Sequence, residues 1–374
     1  MDFSQFAPLP VIDCHIHLRH AERAGDLERI TEEVGLTAAN LLAMPYAPII
    51  NQNASLIDYK AGHPNHAYIS GALDHVQLLA DRERAPQRLA GQIQRLKAIG
   101  FDGIKLVESK PTNRLEMNFP LDGPLYAPMW EALEAAGLPT LWHVADPEEF
   151  WDFDACPDWA HEHGWFYGDA YPLKEALYAE VENVLTRHPN LRIILAHFYF
   201  LSADLPRAAG FLDRHPGAYF DLAPGIEMYQ NFARNIDAAR EFFLTYSDRI
   251  LHGTDIGAGS SNSDPTLGID HDDAHGRTWL IRHFLESAEP FSSPEELGHG
   301  LGMDVDGLRG IALPADALAR IYAGNFHTLY GQQPATLNCD AALEELDRQA
   351  AFIDARAGAP IDSPARRVAR RLRS

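Results

Sequence analysis

The sequence contains few cysteines, only three among its 374 residues. Because Cys14, Cys156 and Cys339 are odd in number and far apart along the chain, we do not expect a framework of disulfide bonds. No apolar run approaches the ~18 to 20 residues that cross a bilayer. The opening MDFSQFAPLP has neither the basic start nor the apolar core of a signal peptide. We therefore expect a cytoplasmic protein that does not contact a membrane.

Positive charge is also scarce. Lysine and arginine number 31 against 53 aspartates and glutamates, which gives a formal net charge of −22. Binding to a nucleic-acid backbone depends on basic side chains that displace condensed counterions, so we expect no nucleic-acid partner. The terminal segment ARRVARRLRS is basic, and we interpret it as a helix end that is solvated or docked on the body. The remaining composition is typical of a globular protein, for which a homo-oligomer is the default assembly.

Eight short segments rich in apolar and β-branched residues predict strands. They lie at residues 11–18, 38–45, 66–74, 101–108, 139–145, 191–198, 218–223 and 250–255. Most are near-continuous apolar runs separated by helix-patterned stretches, which is typical of strands buried on both faces. Eight such units predict a closed parallel (β/α)₈ TIM barrel over residues 1–331, with an open doubly wound sheet as the alternative. Residues 332–374 predict extra C-terminal helices and the basic tail, and long loops at 146–171 and 256–276 are expected to shape a pocket.

The stretch VIDCHIHLRH places two histidines one residue apart at the end of the first predicted strand. Chance alone should give about one such pair in a chain this rich in histidine. A second pair, His161 and His163, lies in a predicted solvated loop, with contact to substrate as the alternative. The first pair differs because it stands on a strand. There a period of two directs Asp13, His15 and His17 to one side and the intervening cysteine to the other.

Three further strand ends offer matching side chains. His143 closes the fifth predicted strand, His197 the sixth and Asp255 the eighth. Since the carboxyl ends of barrel strands meet at one mouth, we expect these groups to converge with His15 and His17 on a divalent metal ion. Zn²⁺ is the expected ion and Mn²⁺ the alternative, with one or two ions bound.

An ionisable residue, Lys105, interrupts the otherwise apolar fourth strand. It could reach from the strand end to solvent, or pair with Glu108 or Asp102. Burial would instead keep its amine neutral, and a neutral amine can take up carbon dioxide to form a carbamate that bridges two metal ions. A third interpretation is that the ammonium binds substrate. The sequence leaves these alternatives open.

The Asp-x-His-x-His pattern on strand one, Lys on strand four, His on strands five and six, and Asp on strand eight resemble the amidohydrolase superfamily of metal-dependent barrel enzymes. AGNFHTLYG at 323–331 resembles the closing helix of its amidohydrolase-2 branch, which includes hydrolases, lactonases and nonoxidative decarboxylases of the aminocarboxymuconate semialdehyde decarboxylase type. The resemblance extends over residues 9–331. Two departures bear on the substrate: His252 stands where Phe or Tyr is common, and AHFYF lacks the glycines that often follow the strand-six histidine.

The resemblance implies roles for several of these residues. Asp255 would bind metal and accept a proton from the attacking water. His197 would act as an acid or base beside a single ion, or would ligate a second ion, and a carbamate at Lys105 would favour two ions. From its position, Asp13 is expected to accept a hydrogen bond that fixes the tautomer of a ligand imidazole, or alternatively to hold a loop backbone.

Substrate contacts are expected from residues in or beside the loops at the same mouth: Lys110, Arg114, Trp142, Tyr167 and Tyr199. The two cationic residues suggest a small molecule that bears a carboxylate. We therefore expect a metal-dependent hydrolase of an amide, lactone or ester bond. The alternatives are a metal-dependent nonoxidative decarboxylase with His197 as acid or base, and a barrel that binds ligand without metal or turnover.

Overall fold

A computed structural model of the protein describes residues 1–46, 50–76, 81–225, 227–258, 264, 266–297 and 306–374. Its centre is a sheet of eight parallel strands that are hydrogen-bonded in chain order. The strands are β1 Ile12–His17, β2 Ala38–Leu42, β3 Ala67–Gly71, β4 Gly103–Ser109, β5 Thr140–Val144, β6 Ile193–Leu195, β7 Ala218–Asp221 and β8 Ile250–Leu251. Seven lie within the segments that the sequence predicts as strands, and β4 extends one residue beyond its predicted segment, to Ser109.

The first strand and the segment after the last strand close the sheet into a barrel. Cys14 N donates to His252 O at 3.0 Å, and Asp255 N donates to His15 O at 2.7 Å. These bonds leave neither end of the sheet as a free edge, as barrel closure requires. The prediction of a (β/α)₈ TIM barrel is confirmed, and the open-sheet alternative is wrong.

Helices follow the strands along the chain and cover the outside of the barrel. They are α1 Ala24–Glu33, α2 Asn53–Gly62, α3 Ala85–Ile99, α4 Pro111–Met117, α5 Ala127–Ala136, α6 Asp158–Glu162, α7 Lys174–Arg187, α8 Leu205–Arg214, α9 Met228–Arg234, α10 Ile236–Thr245, α11 His271–Glu286, α12 Ala315–Ala319, α13 Asn325–Tyr330, α14 Cys339–Ala357 and α15 Pro364–Arg373. A π-helical turn, Arg320–Gly324, joins α12 to α13. Within the described ranges, none of these helices has the length and apolar character needed to span a bilayer.

The first strand is irregular, because its register against β2 shifts between Asp13 and Ile16. Such a bulge lets two consecutive side chains face the barrel interior. Cys14 belongs to the apolar cluster inside the barrel, and a Cβ placed on Gly253 would lie 2.9 Å from its Sγ and 3.1 Å from His15 Cβ. The prediction of strict alternation, with Asp13 beside both histidines and Cys14 on the other side, is therefore wrong.

The segment 323–331 fills the end of the barrel opposite the mouth. Phe326, Leu329 and Tyr330 join the apolar cluster formed by inward-facing residues of the strands. Asn325 Nδ2 donates to the carbonyl of Ile250, the first residue of β8, at 2.7 Å. A floor filled by side chains leaves the carboxyl ends of the strands as the entrance for a substrate.

The C-terminal helices lie on the outside of the barrel, where α15 packs against α14 and α2. The buried face of α15 is small and apolar, with Ala365, Val368 and Ala369. Its arginines face acidic groups of the body, and Arg371 makes two hydrogen bonds of 2.8 Å to Asp58. The basic tail is thus a helix docked on the body, one of the two arrangements that the sequence suggested.

Replacing Phe326 by alanine should lower the free energy of unfolding by about 3–5 kcal/mol, because it removes a large side chain from a packed floor. The Phe326 ring is 1% exposed and stacks on Tyr330 with centroids 4.4 Å apart. Urea unfolding followed by circular dichroism measures the change. Thr328→Ala, on the exposed side of the same helix, is the matched control and should change stability by less than about 0.5 kcal/mol. Equal stabilities for the two variants would contradict the floor assignment.

Candidate metal centre

The ends of β1 and β8 bring three of the predicted ligands into contact. Asp255 Oδ1 lies 3.2 Å from His15 Nε2 and 3.1 Å from His17 Nε2. Both histidines are buried, whereas 14% of the aspartate side chain is exposed. The group therefore stands at the boundary between the barrel interior and the mouth.

His197, at the end of β6, completes a cluster of three donors. Ligand atoms of His15, His197 and Asp255 all lie within 4.8 Å of one another, close enough to share a metal ion. His197 Nδ1 is 3.1 Å from the carbonyl oxygen of Ala223, to which it donates if the ring is neutral. Its Nε2 is then the nitrogen that is left for a ligand.

The backbone at these strand ends adopts left-handed conformations. Residues 197–200 all have φ between 49° and 56°, and Ala145 and Asp255 have φ of 60° and 61°. This region costs a residue with a Cβ on the order of 1–2 kcal/mol. Such conformations persist where the surrounding structure enforces them, and they concentrate at functional sites. Here they follow β5, β6 and β8, the three strands that carry His143, His197 and Asp255.

His143 lies beside this cluster, with its ring 5.0 Å from that of His197. Its Nε2 lies 3.2 Å from Asp146 Oδ1 and 3.0 Å from the carbonyl oxygen of Ala145. Nδ1 is therefore the nitrogen available to a metal. Asp146 also accepts hydrogen bonds from Lys110 Nζ at 2.7 Å and from the Tyr167 hydroxyl at 2.5 Å. One buried carboxylate thus fixes the orientation of this imidazole.

Asp221, at the end of β7, orients His15. Its Oδ2 lies 2.8 Å from His15 Nδ1, and its Oδ1 accepts a hydrogen bond of 2.7 Å from the backbone N–H of His197. The prediction that Asp13 fixes a ligand imidazole is corrected. Its carboxylate accepts from the His15 backbone N–H at 2.8 Å and from the Thr254 hydroxyl at 2.6 Å, because the bulge turns it away from the rings. Asp13 therefore holds loop backbone, the alternative that the sequence left open.

Lys105 is buried next to the cluster, with Nζ 3.3 Å from His15 Nε2. It does not reach solvent. The two acids that the sequence offered as its partners pair with other residues. Asp102 lies 2.5 Å from Lys60, and Glu108 lies 3.2 Å from His75. Burial lowers the pKa of Lys105 to about 8. The carbamate and the substrate-binding ammonium both stay predictions.

The protonation states of the cluster suit a cation. Burial lowers the pKa of His17 and His197 to about 3 and that of His143 to about 4, so these rings are neutral at neutral pH. Burial alone would raise the pKa of Asp255, but His15 and His17 hold it well below its usual range. Among the described residues, His17 Nδ1 has no hydrogen-bond partner. Neutral imidazoles and an ionised carboxylate are what a divalent ion requires, so this donor set fits one.

A cavity of about 950 Å³ opens above the cluster. Its base is formed by the six residues proposed as ligands: His15, His17, Lys105, His143, His197 and Asp255. One wall is aromatic and comes from the long loop at 146–171, with Phe150, Trp159 and Trp165. Another wall is charged and comes from the segment after β8, with Asp273 and Arg277. Both long loops predicted from the sequence therefore shape the pocket.

The two cations predicted to bind substrate are already paired. Lys110 lines the cavity, but its ammonium lies between both oxygens of Asp146 at 2.7 and 2.8 Å. Arg114 is not among the described residues that line the cavity, and it pairs with Glu180 at 3.2 Å. The structure therefore places Arg114 in α4, in an ion pair apart from the described lining of the cavity, and its role as a substrate contact stays a prediction.

The three predicted aromatic contacts are packing residues and do not line the cavity. Trp142 points to the outer side of β5, since its neighbour in the strand faces inward, and it packs on Trp130 with centroids 4.9 Å apart. Tyr199 packs on Tyr178 at 4.5 Å. Tyr167 is buried and donates to the carboxylate beside His143. Strand alternation could have excluded Trp142 from the sequence alone.

Three residues of the site were not identified from the sequence. Asp221 and Asp146 are acids at or just after the ends of predicted strands, the same signal that located Asp255. Arg277 gave no such signal, because it lies inside α11. The solvated-loop interpretation of His161 and His163 is also incomplete. His161 lies in α6, and His163 lines the cavity.

The fold and site define a class of protein: a (β/α)₈ barrel with a histidine–aspartate cluster at the mouth. A family model described as Amidohydrolase, the amidohydrolase-2 model, matches residues 12–332. The chain therefore belongs to the amidohydrolase-2 family of enzymes. No curated protein matches the sequence significantly.

Solved structures with the same architecture are distant in sequence. An uncharacterised TIM-barrel protein from Bordetella bronchiseptica has a TM-score of 0.51 and 14% identity, covering 87% of this chain and 99% of that one. 2,6-Dihydroxybenzoate decarboxylase from Rhizobium has a TM-score of 0.50 and 16% identity, covering 86% and 98%. A dihydroxybenzoic acid decarboxylase from Polaromonas sp. JS666, with bound manganese and 2-nitroresorcinol, has a TM-score of 0.51 and 18% identity, covering 86% and 97%. At these identities the similarity establishes the fold alone.

Asp221→Asn should weaken Zn²⁺ binding by about 10- to 100-fold. An amide cannot accept hydrogen bonds on both sides, so either the His15 ring or the His197 backbone loses its acceptor. Competition with a chromophoric chelator measures the affinity. Asp213→Asn is the control, because this exposed carboxylate accepts a hydrogen bond from Tyr246 far from the mouth. Unchanged affinity in the Asp221 variant would refute its positioning role.

Binding of one Zn²⁺ at pH 6 should release about one proton. His17, His143 and His197 are neutral at this pH, while Asp255 and Asp221 raise the pKa of His15 although burial and Lys105 oppose its charge. Only that ring must then lose a proton to bind. The three histidines proposed as ligands of one ion would release about two protons if each had an ordinary pKa of ~6.5. Titration calorimetry in two buffers of different ionisation enthalpy counts the protons, and a count of two or more would contradict the depressed pKa values.

Proposed function

We propose that the protein is a metal-dependent hydrolase that cleaves an amide, lactone or ester bond in a small, carboxylate-bearing molecule. The observation that carries the proposal is the convergence of imidazole nitrogens and a carboxylate at the base of the cavity, where ligand atoms of His15, His197 and Asp255 lie within 4.8 Å of one another. Hydrolysis assisted by a metal needs ligands for the ion and a base for the water. The cluster supplies both kinds of group.

The residues that would hold the ion are His15, His17, His143 and Asp255. A bound divalent ion lowers the pKa of a coordinated water from 15.7 towards about 7. Zn²⁺ is the expected ion, and the manganese in the Polaromonas decarboxylase supports Mn²⁺ as the alternative. A second ion would use His197 and a carbamate at Lys105, both of which stand beside the first group of ligands.

We assign the role of base to Asp255. Its Oδ1 faces the two histidines of β1, and its Oδ2 lies 4.0 Å from Arg277 Nη1, a group that lines the cavity. The second oxygen can therefore accept a proton from a water on the cavity side and return it to the leaving group. Asp221 and Asp146 hold the His15 and His143 rings, and the apolar barrel floor excludes water from below.

Decarboxylation is the second candidate, because the same cluster could hold a carboxylate-bearing substrate. It requires a group that donates a proton to the carbon left by carbon dioxide. His197 is neutral, with its pKa lowered to about 3, whereas Lys105, with a pKa of about 8, is protonated at neutral pH. We place hydrolysis first because it needs only ligands for an ion and one carboxylate that faces the cavity, and the cluster with Asp255 supplies both.

Removing the metal with a chelator should abolish hydrolysis, and Zn²⁺ or Mn²⁺ should restore it. Asp255→Asn should lower kcat by about 10²- to 10⁴-fold, because the amide cannot accept the proton of the water. The assay follows acid release from a panel of lactones, aryl esters and amides, with carbon dioxide measured in parallel on aromatic acids. Metal content of the purified protein is determined first by elemental analysis.

Asp213→Asn is the control for this loss as well, since its carboxylate lies outside the cavity. Release of carbon dioxide without hydrolysis would contradict the hydrolase proposal and support the decarboxylase. A protein that binds no ion, and that gains no activity from added Zn²⁺ or Mn²⁺, would instead be a ligand-binding barrel without turnover.

A further inference from the structure

Arg277 is a buried cation at the mouth that none of the metal-site roles uses. It lies in α11, lines the cavity, and has 3% of its side chain exposed. Arginine is seldom buried to this degree without a partner for its charge. The contacts of its guanidinium therefore bear on its role.

Two contacts fix the guanidinium in place. Nε donates to Asp273 Oδ2 at 2.7 Å, and Nη1 donates to the carbonyl of Thr254 at 3.2 Å. A guanidinium has five N–H donors, so three are left. Within the described part of the chain, Nη2 makes no hydrogen bond. The side chain lines the cavity, which is where a ligand for these remaining donors would lie.

This set of donors stands beside the metal cluster, since Nη1 lies 4.0 Å from Asp255 Oδ2. An anionic group bound there would be within a few ångströms of the proposed base. Lys110, one of the cations that the sequence suggested for substrate binding, has its ammonium between both oxygens of Asp146. Arg277 has Asp273 on Nε, and its Nη1 lies between the Thr254 carbonyl and Asp255, which leaves Nη2 and one N–H of Nη1 for a ligand.

The acidic residues at the rim do not cancel this preference. Asp270 and Asp272 line the cavity but are exposed, so solvent and salt screen their charges. The charge of Arg277 acts in a buried setting, where electrostatic interactions are stronger. A planar fork of donors in such a setting matches the two oxygens of a carboxylate.

We propose that Arg277 binds the carboxylate of the substrate and thereby determines a preference for carboxylic acids over neutral analogues. This assignment rests on the proposed function for its place beside the reacting group, but the binding it describes does not require turnover. Its loss should weaken binding of an acid without weakening binding of a neutral molecule of the same shape.

The test uses pairs of an acid and its neutral amide: acetate with acetamide, benzoate with benzamide, and cinnamate with cinnamamide. Their affinities for the Zn²⁺-loaded full-length protein are measured by titration calorimetry. Arg277→Gln should weaken binding of the acid that binds the wild type best by about 10- to 100-fold and leave its amide within about twofold. Arg277→Lys keeps the charge but not the planar fork of donors, so its affinity for the acid should lie between those of the wild type and Arg277→Gln.

Arg207→Gln is the matched control, because this arginine has an ion pair of the same 2.7 Å length, with Glu175, outside the cavity. Zn²⁺ affinity and the thermal midpoint are measured for every variant, and Arg277→Lys replaces the glutamine variant if the latter does not fold. The proposal is overturned if no acid binds the wild type better than its amide, or if the Arg277 variants weaken acid and amide equally. Selective binding without catalysis would instead count against the hydrolase alone.

Discussion

One buried carboxylate, that of Asp221, holds the mouth of the barrel together. It accepts hydrogen bonds from the His15 ring at 2.8 Å, from the His197 backbone at 2.7 Å and from the Ala223 backbone at 3.2 Å. Burial alone would raise the pKa of Asp221, yet His15 and the hydrogen bonds keep it below its usual value. Since a carboxylate can accept on both oxygens, one side chain fixes an imidazole of β1 and the backbone that follows β6.

The hydrogen bond from the His197 backbone N–H to Asp221 helps the chain to tolerate the left-handed turn at residues 197–200. That turn would be easy for glycine, and the sequence has aromatic residues there instead. Phe198 is fully buried in a cluster of phenylalanine rings, and Phe200 stacks on the His197 ring with centroids 5.3 Å apart. Aromatic burial therefore offsets the backbone cost, and it brings an apolar ring to the cavity wall beside a proposed ligand.

The sequence predicted the elements that repeat and missed those that depend on one local irregularity. Hydrophobic runs located all eight strands, and strand ends located His15, His17, His143, His197 and Asp255, because those rules follow from the geometry of any parallel barrel. The predicted orientation of the Asp13 side chain was wrong because no pattern of residue types predicts a β-bulge. The two cations proposed as substrate contacts show a different dependence: whether a cation near the mouth is free or paired depends on distant acids, such as Glu180 for Arg114.

The aromatic wall of the cavity has a small core of its own. Phe150, Cys156, Ala160 and Tyr167 form an apolar cluster separate from the barrel floor and from the outer core. It is tied to the metal cluster through Asp146, which accepts from Tyr167 and contacts the ring of His143. Changes in the apolar part of this wall can therefore alter the shape of the cavity while the floor and the ligands stay in place. A barrel built in this way separates the choice of substrate from the chemistry at its base.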